Sequence, residues 1–275
     1  MQAETSPSTP TSFSLARTLR LGTFHIGSAM GDILVTSIWN RVMIANLGVP
    51  AWPVSLLIAL RYLLSPISVW AGYRSDARPL WGLRRTYYVW FGRFLMVFSL
   101  PFLGLSLGRL GVNQADPLGW LLAFSCFVLY GVGSLTSGSP FLALVRDSAP
   151  LTKQGLAISI VETMLIIFYA TMGIAFGRWM EVYDPATFWQ LIVTTMTVGG
   201  LFWFLAILGV ERRTSKATPA AAAASPPALA ATFGRIWQDA RTRRFFLFLG
   251  LATFSAWVQD AILEPYGAEV FHLDV

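Results

Sequence analysis

The chain has 275 residues, of which 55% are hydrophobic and only 12% charged, and its mean hydropathy is +0.59. A water-soluble domain carries about 25% charged residues, so these numbers exclude a soluble globule, and the same apolar richness excludes a disordered chain. The net charge of +6 fits basic membrane loops and anionic lipid rather than nucleic acid, and the single cysteine, Cys126, excludes an intrachain disulfide and a multi-cysteine metal site.

What remains is an all-α polytopic membrane protein. Residues 1–13 are polar and rich in Ser, Thr and Pro, and read as a short disordered tail rather than a secretory signal. Seven apolar stretches follow, at 22–44, 52–73, 86–108, 117–142, 155–178, 187–209 and 244–265. Each has about 20 residues or more, enough to cross a ~30 Å hydrocarbon core at ~1.5 Å per residue. With the N-terminus in the cytoplasm, fifteen of the twenty Lys and Arg residues fall in cytoplasmic segments, and only Arg109 and Arg178 fall in outer loops. Arg41, Arg61 and Arg93 lie within spans.

The segment 210–243 is basic at both ends and rich in Ala and Pro between Pro219 and Pro227, and reads as a flexible cytoplasmic linker. It separates six spans, within 14–209, from a seventh within 244–275. A lone seventh span has nothing to pack against, so the expectation is one half of a six-plus-six layout with the first helix of a truncated second half. That layout is the organisation of major facilitator transporters.

Gly27/Gly31, Gly104/Gly108 and Gly173/Gly177 form Gly-x-x-x-Gly pairs on spans 1, 3 and 5, and predict close helix approaches within the chain. Pro66 and Pro101 remove backbone donors and predict kinks in spans 2 and 3. No nucleotide-binding, zinc-protease or serine-hydrolase signature is present, and Gly131-Val132-Gly133 lies in an apolar helix with no strand before it. An enzyme is not expected.

The loop between spans 2 and 3 reads Gly72-Tyr73-Arg74-Ser75-Asp76-Ala77-Arg78-Pro79-Leu80-Trp81-Gly82-Leu83-Arg84-Arg85. Gly72, Asp76, Gly82 and the pair Arg84 and Arg85 resemble the signature loop of the major facilitator superfamily, at greater length than its usual pattern. The resemblance implies a cytoplasmic gating loop in which Asp76 caps a helix or pairs with an arginine. Charge topology alone accounts for the arginines, but not for Gly72 with Asp76.

A closer match runs through Asn40-Arg41-Val42-Met43-Ile44-Ala45-Asn46-Leu47-Gly48-Val49-Pro50, Gly72 to Asp76, Arg84-Arg85-Thr86-Tyr87-Tyr88-Val89-Trp90, and Gln259-Asp260-Ala261-Ile262-Leu263-Glu264-Pro265 onward to Phe271. From about Leu15 to Val275 the chain resembles the PucC/LhaA family, light-harvesting complex assembly proteins of phototrophic bacteria proposed to deliver bacteriochlorophyll. The resemblance implies a facilitator fold, of which this chain would be the first six helices plus helix 7, with helices 1, 4 and 7 lining a lipid-accessible cavity. It also implies a multi-pass protein of a bacterial cytoplasmic or photosynthetic membrane. The cargo would be (bacterio)chlorophyll, with no covalently bound cofactor. The partners would be antenna or photosystem polypeptides and the lipid bilayer, with no nucleic acid.

Ionisable groups inside a membrane are costly and mark function by default. The candidates are Asp32, Arg41, Arg61, Arg93, Glu162, Asp260 and Glu264. Counting residues from the span ends places Asp32 and Arg61 at one depth, Arg93 and Glu162 at another, and Arg41, Asp260 and Glu264 near the outer end. Each group is either a structural bridge or part of a cargo site. His25 on span 1 is a candidate ligand for a chlorophyll magnesium, although a lone histidine on an apolar helix is more often hydrogen-bonded to a neighbour. Asn40 and Gln259 are oxygen-ligand alternatives. Trp39, Trp52, Trp81, Trp90 and Trp120 fall near span ends and read as an interfacial belt. Two other functions stay open: a proton-coupled transporter using Asp32 or Glu162, and an antenna assembly factor that holds no pigment.

Overall fold

The computed structural model describes residues 12–77, 83–211, 234, 237–252 and 255. The chain divides into two compact units, Met1–Lys216 and Ala217–Val275. Among the described residues the regular elements are all helices, and five helical stretches are long and apolar enough to cross a membrane: Ala51–Asp76, Thr86–Leu110, Pro117–Asp147, Leu151–Trp179 and Pro185–Leu205. The chain is an all-α polytopic membrane protein.

The stretch expected as the first span is built differently from these five. It is a succession of short pieces: α1 (Leu15–Gly22), α2 (Phe24–Asp32), a π turn at Ile33–Ile38, α3 (Trp39–Arg41) and a second π turn at Val42–Asn46. Ser14 caps its start, accepting the Arg17 N–H at 3.4 Å. The second span is two helices, α4 (Ala51–Leu63) and α5 (Pro66–Ala77). The break falls where expected, because Pro66 has no N–H for the Tyr62 carbonyl. Pro101, by contrast, lies inside the unbroken α6 (Thr86–Leu110). Then come α7 (Pro117–Asp147), α8 (Gln154–Trp179) after a short 3-10 turn, and α9 (Pro185–Thr194), which continues through a π turn into α10 (Gly200–Leu205).

Two Asp-Pro pairs start helices by the same device. Asp116 accepts the Leu118 N–H at 3.1 Å before Pro117, and Asp184 accepts the Thr187 N–H at 2.8 Å before Pro185. A bond from Arg109 Nε at 2.6 Å, helped by the Leu118 N–H, holds the Asp116 carboxyl below its ordinary value. The Thr187 N–H and hydroxyl hold Asp184 below its own. A lowered carboxylate contributes stability above the unfolded value that is lost as pH falls through the folded one. Protection of the Leu118 and Thr187 amides from hydrogen exchange, corrected for intrinsic rates, should therefore persist down to the ordinary value of 3.8 and disappear only below it.

Close helix approach concentrates at glycines. A Cβ on Gly27 would sit 2.5 Å from the Gly199 carbonyl oxygen, and one on Gly31 would sit 2.5 Å from the Tyr130 hydroxyl. Both members of that pair are packed. Gly104 meets Trp189 at 2.7 Å, but Gly108 and Gly177 have open space, and Gly173 meets only Ile33 at 3.8 Å. The second and third Gly-x-x-x-Gly pairs are therefore not full close-packing motifs, because the neighbouring helix covers one turn or neither. The tightest approach to a neighbouring backbone has no such motif. Gly92 of α6 and Gly133 of α7 each point at the other's carbonyl, 2.4 Å from where a Cβ would lie. α6 and α7 form the most extensive helix pair of this unit.

The core runs between spans 1, 3, 4 and 6, with Phe24, Leu34, Trp39, Met43, Met96, Leu100, Leu103 and Trp203 fully or almost fully buried. Trp39 is 0% exposed and packs edge-on against Phe127 at 4.9 Å, so it is a core residue and not part of an interfacial belt. It lies at a span end by residue count, yet the π turns on either side keep it on the packed face. Trp52, at 73% exposure, fits the belt reading.

In the second unit a helix runs over 240–252 with its residues largely exposed. Asp239 precedes it and accepts the Arg241 N–H at 3.1 Å. Most of the expected tail and linker lies outside the described residues, as do the rest of the seventh span, Trp81, Gly82, Gln259, Asp260 and Glu264.

Candidate functional site

The polar groups of the first unit gather at three levels. The first is Asp32, at the end of α2 where the first π turn begins. Arg61 of α4 places Nη1 3.7 Å from Asp32 Oδ1. The Tyr130 hydroxyl of α7 donates to the same oxygen at 2.7 Å, and the Tyr169 hydroxyl of α8 donates to Oδ2. One carboxylate thus ties spans 1, 2, 4 and 5 together. Asp32 and Arg61, expected to share a depth, do meet. The two tyrosines were not anticipated. The available signal was a phenol in mid-span, whose hydroxyl must find a partner when buried.

The second level surrounds His25. Its side chain is almost fully buried, and neither ring nitrogen has a hydrogen-bond partner. The ring lies edge-on to Phe24 at 5.8 Å and to Phe141 at 5.3 Å, while these two phenyl rings stack on each other at 3.9 Å. Glu162 Oε1 lies 4.0 Å from His25 Nε2, beyond hydrogen-bond reach, with its side chain 40% exposed. The expected hydrogen bond from His25 to a neighbour is therefore absent among the described residues.

The expected pairing of Arg93 with Glu162 is not found either. Arg93 is buried, with its guanidinium 4.4 Å from the Phe24 ring centre and 5.0 Å from that of Trp203. Its Nη1 donates to Met96 Sδ at 3.2 Å. Equal depth is not enough for pairing. Arg93 is turned toward spans 1 and 6, where aromatic faces stabilise the cation, and Glu162 is turned toward His25. Near the far end of span 1, Arg41 Nη2 donates to the Met180 carbonyl at 2.5 Å and so holds the end of α8. Its expected partners Asp260 and Glu264 lie outside the described residues. Asn40 Oδ1 is buried without a partner.

The third level is the arginine-rich end. Arg85 is buried, and its guanidinium spans Asp76 Oδ1 at 2.9 Å, Asp147 Oδ2 at 2.5 Å and the Ala143 carbonyl at 2.5 Å. Arg84 reaches back to the Asp76 carbonyl at 3.0 Å. Asp76 itself is about half exposed, so it engages the bundle through Arg85 rather than by packing into it. Glu211 accepts the N–H groups of Arg84 at 2.6 Å and Thr86 at 2.9 Å, and the Thr86 hydroxyl at 2.7 Å, which caps α6. Arg20 donates to the Leu205 and Leu208 carbonyls at 2.7 and 2.6 Å and ties the start of span 1 to the end of span 6. Gly72 has the Ser139 Cβ at 3.4 Å from where its own would lie. Asp147 and Glu211 were missed at the level of sequence. Each is an acid among the basic residues at a span end, which is the signal that was available.

Among the described residues no three His, Cys, Asp or Glu side chains gather to hold a bare metal ion, and Cys126 is buried.

The family model described as PUCC protein matches residues 38–275. The chain is 28% identical over 268 residues to Protein PucC of Rhodovulum sulfidophilum, covering 95% of this chain and 59% of that protein. It is 31% identical over 264 residues to the bacteriochlorophyll synthase 44.5 kDa chain of Rhodobacter capsulatus, covering 92% of this chain and 57% of that one. Protein PucC of Cereibacter sphaeroides is 30% identical over 275 residues, at 95% and 58% coverage. The chain thus spans under three fifths of the length of these curated relatives. No solved structure matches it.

Proposed function

Because the chain belongs to the PUCC protein family, we propose that it supplies (bacterio)chlorophyll during assembly of light-harvesting or photosystem complexes in a bacterial cytoplasmic or photosynthetic membrane, with its N-terminus in the cytoplasm. The names of its relatives, one of them a bacteriochlorophyll synthase chain, support the pigment connection. The role is that of a carrier that binds and releases its cargo, with antenna or photosystem polypeptides as the receiving partners. The six spans serve as the first half of a facilitator-type fold, with Asn40 and Arg41 beside the cargo path.

The observation that carries the reading is His25. A buried imidazole with two unpartnered nitrogens is costly, and a neutral imidazole nitrogen is a common metal ligand. Phe24 and Phe141 pack their rings edge-on to it, and the Glu162 side chain, 4.0 Å from Nε2, is the exposed group beside it. Asp32 is held by Arg61, Tyr130 and Tyr169, and Glu162 lies 4.0 Å from His25; under the alternative reading, a proton-coupled transporter, Asp32 or Glu162 would be the protonation site.

The test is deletion of the gene in its host, followed by complementation. The deletion strain should lose most of the antenna absorption band while still synthesising pigment. The wild-type gene should restore the band, and His25→Leu should restore less than about a tenth of it, the loss expected for removing a metal-ligand contact. Normal antenna levels together with lost flux of a soluble metabolite would favour the transporter reading. Normal antenna from His25→Leu would remove His25 from the cargo site.

A further inference from the structure

The groups at Asp32, His25 and the arginine-rich end leave a cavity among the described residues unused. It lies between α5, α6 and α7 and has a volume of about 340 Å³. Ile67 and Trp70 of α5, Tyr87 and Phe91 of α6, and Val132 and Thr136 of α7 form its walls. The volume is at the low end of the ~300–1,000 Å³ range of small-molecule sites, which suits a single alkyl chain. The walls are almost wholly apolar, and Trp70 and Phe91 are exposed on the outside of the bundle.

One charge marks the end of this groove. Residues 67, 70 and 74 are spaced i, i+3, i+7 along α5 and so share a helix face. Arg74 therefore follows Trp70 by one turn, toward the end where Arg84 and Arg85 lie. The Tyr88 hydroxyl donates to the Arg74 carbonyl at 3.3 Å and fastens this end of α5 to α6. Arg85 directs its guanidinium to Asp76 and Asp147. Arg74 has no carboxylate partner among the described residues.

We propose that this cavity binds an anionic phospholipid, with one acyl chain lying against Trp70, Tyr87 and Phe91 and the phosphate at Arg74. The positive charge selects this occupant over a neutral isoprenoid tail, because a cation at the membrane surface attracts anionic headgroups. The bound chain would also fill the gap beside α5, the helix that Pro66 separates from α4.

The test uses the whole chain in nanodiscs of phosphatidylcholine with and without phosphatidylglycerol, followed by native mass spectrometry of the lipid retained. Wild type and Arg178→Gln, an exposed arginine on the α8 side remote from the groove, should retain phosphatidylglycerol in preference to phosphatidylcholine. Arg74→Gln should weaken that retention about fivefold, the factor that one interfacial arginine contributes. Thr136→Phe and Val132→Phe, which fill the groove from two successive turns of α7, should each abolish it, and either one that elutes as a folded monomer suffices. Equal retention of the two lipids by wild type would overturn the proposal. So would unchanged retention by Arg74→Gln, or displacement of phosphatidylglycerol by phytol, a neutral isoprenoid alcohol, at matched concentration.

Discussion

Gly133→Val should eliminate folded protein from the membrane. The new Cβ would lie 2.4 Å from the Gly92 carbonyl oxygen, 2.9 Å from Met96 Cγ and 3.1 Å from the Met96 backbone nitrogen. Two of these three atoms are backbone, so no side-chain rotation relieves the clash, and α6 must move off α7. In a bilayer there is no hydrophobic drive to restore the contact, because lipid tails are as apolar as the displaced side chains and association depends on close packing. Overpacking costs about 1–3 kcal/mol where a core can adjust, and here the cost should reach or exceed the top of that range. Gly108→Val is the control, since nothing lies within 4 Å of its Cβ position. Size-exclusion profiles of detergent extracts should show a monodisperse peak for wild type and Gly108→Val, and none for Gly133→Val. A normal peak for Gly133→Val would mean that spans 3 and 4 do not meet at these glycines.

Asp32→Ala should be the most damaging substitution at a polar side chain. It removes the acceptor for one buried and one partly buried hydroxyl and the counter-charge of Arg61 in one step. An unpaired arginine at mid-membrane costs roughly 2.5–3.5 kcal/mol on insertion scales, and each orphaned hydroxyl adds to that. The Arg61 and Asp32 side chains are 31% and 16% exposed, so solvent takes back part of the charge penalty. A net loss of about 2–4 kcal/mol is expected. The informative comparison is the double variant Asp32→Ala/Arg61→Met, which leaves no stranded charge. It should be more stable than Asp32→Ala alone, giving a coupling energy of about 1–3 kcal/mol in a thermal double-mutant cycle. Strict additivity would show that the two charges do not interact in the folded protein.

These two sites differ in how far they could be read from the chain. Asp32 and Arg61 were legible because both are charged, both lie in mid-span, and their spans are joined by a short loop. Counting at ~1.5 Å per residue put them at one depth. The same count put Arg93 level with Glu162, and there it misled. Arg93 sits between the rings of Phe24 and Trp203, and Glu162 faces His25. Tyr130, Tyr169, Asp147 and Glu211 complete the polar clusters but carried no spacing that assigned them a partner. Gly92 and Gly133 belong to no motif, whereas Gly104/Gly108 and Gly173/Gly177 form one and are only partly packed or unpacked.

The chain by itself determined the class of the protein and the approximate extent of its spans: membrane-spanning helices of sufficient length, interrupted at Pro66, with basic residues gathered at one end; the caps at Asp116 and Asp184, equally local, had not been singled out. Those are local properties, set by summed hydropathy, by missing backbone donors and by caps a few residues away. Only the tertiary structure decided which side of each helix meets which neighbour. In a water-soluble bundle an apolar stripe would have marked the inner face of α6, α7 and α8. Here the surrounding lipid is as apolar as the core, so these helices are hydrophobic on every side. Depth survives in the residue count, but rotation about the helix axis does not, and the partners of Asp32, His25, Arg85 and Arg93 depend on rotation.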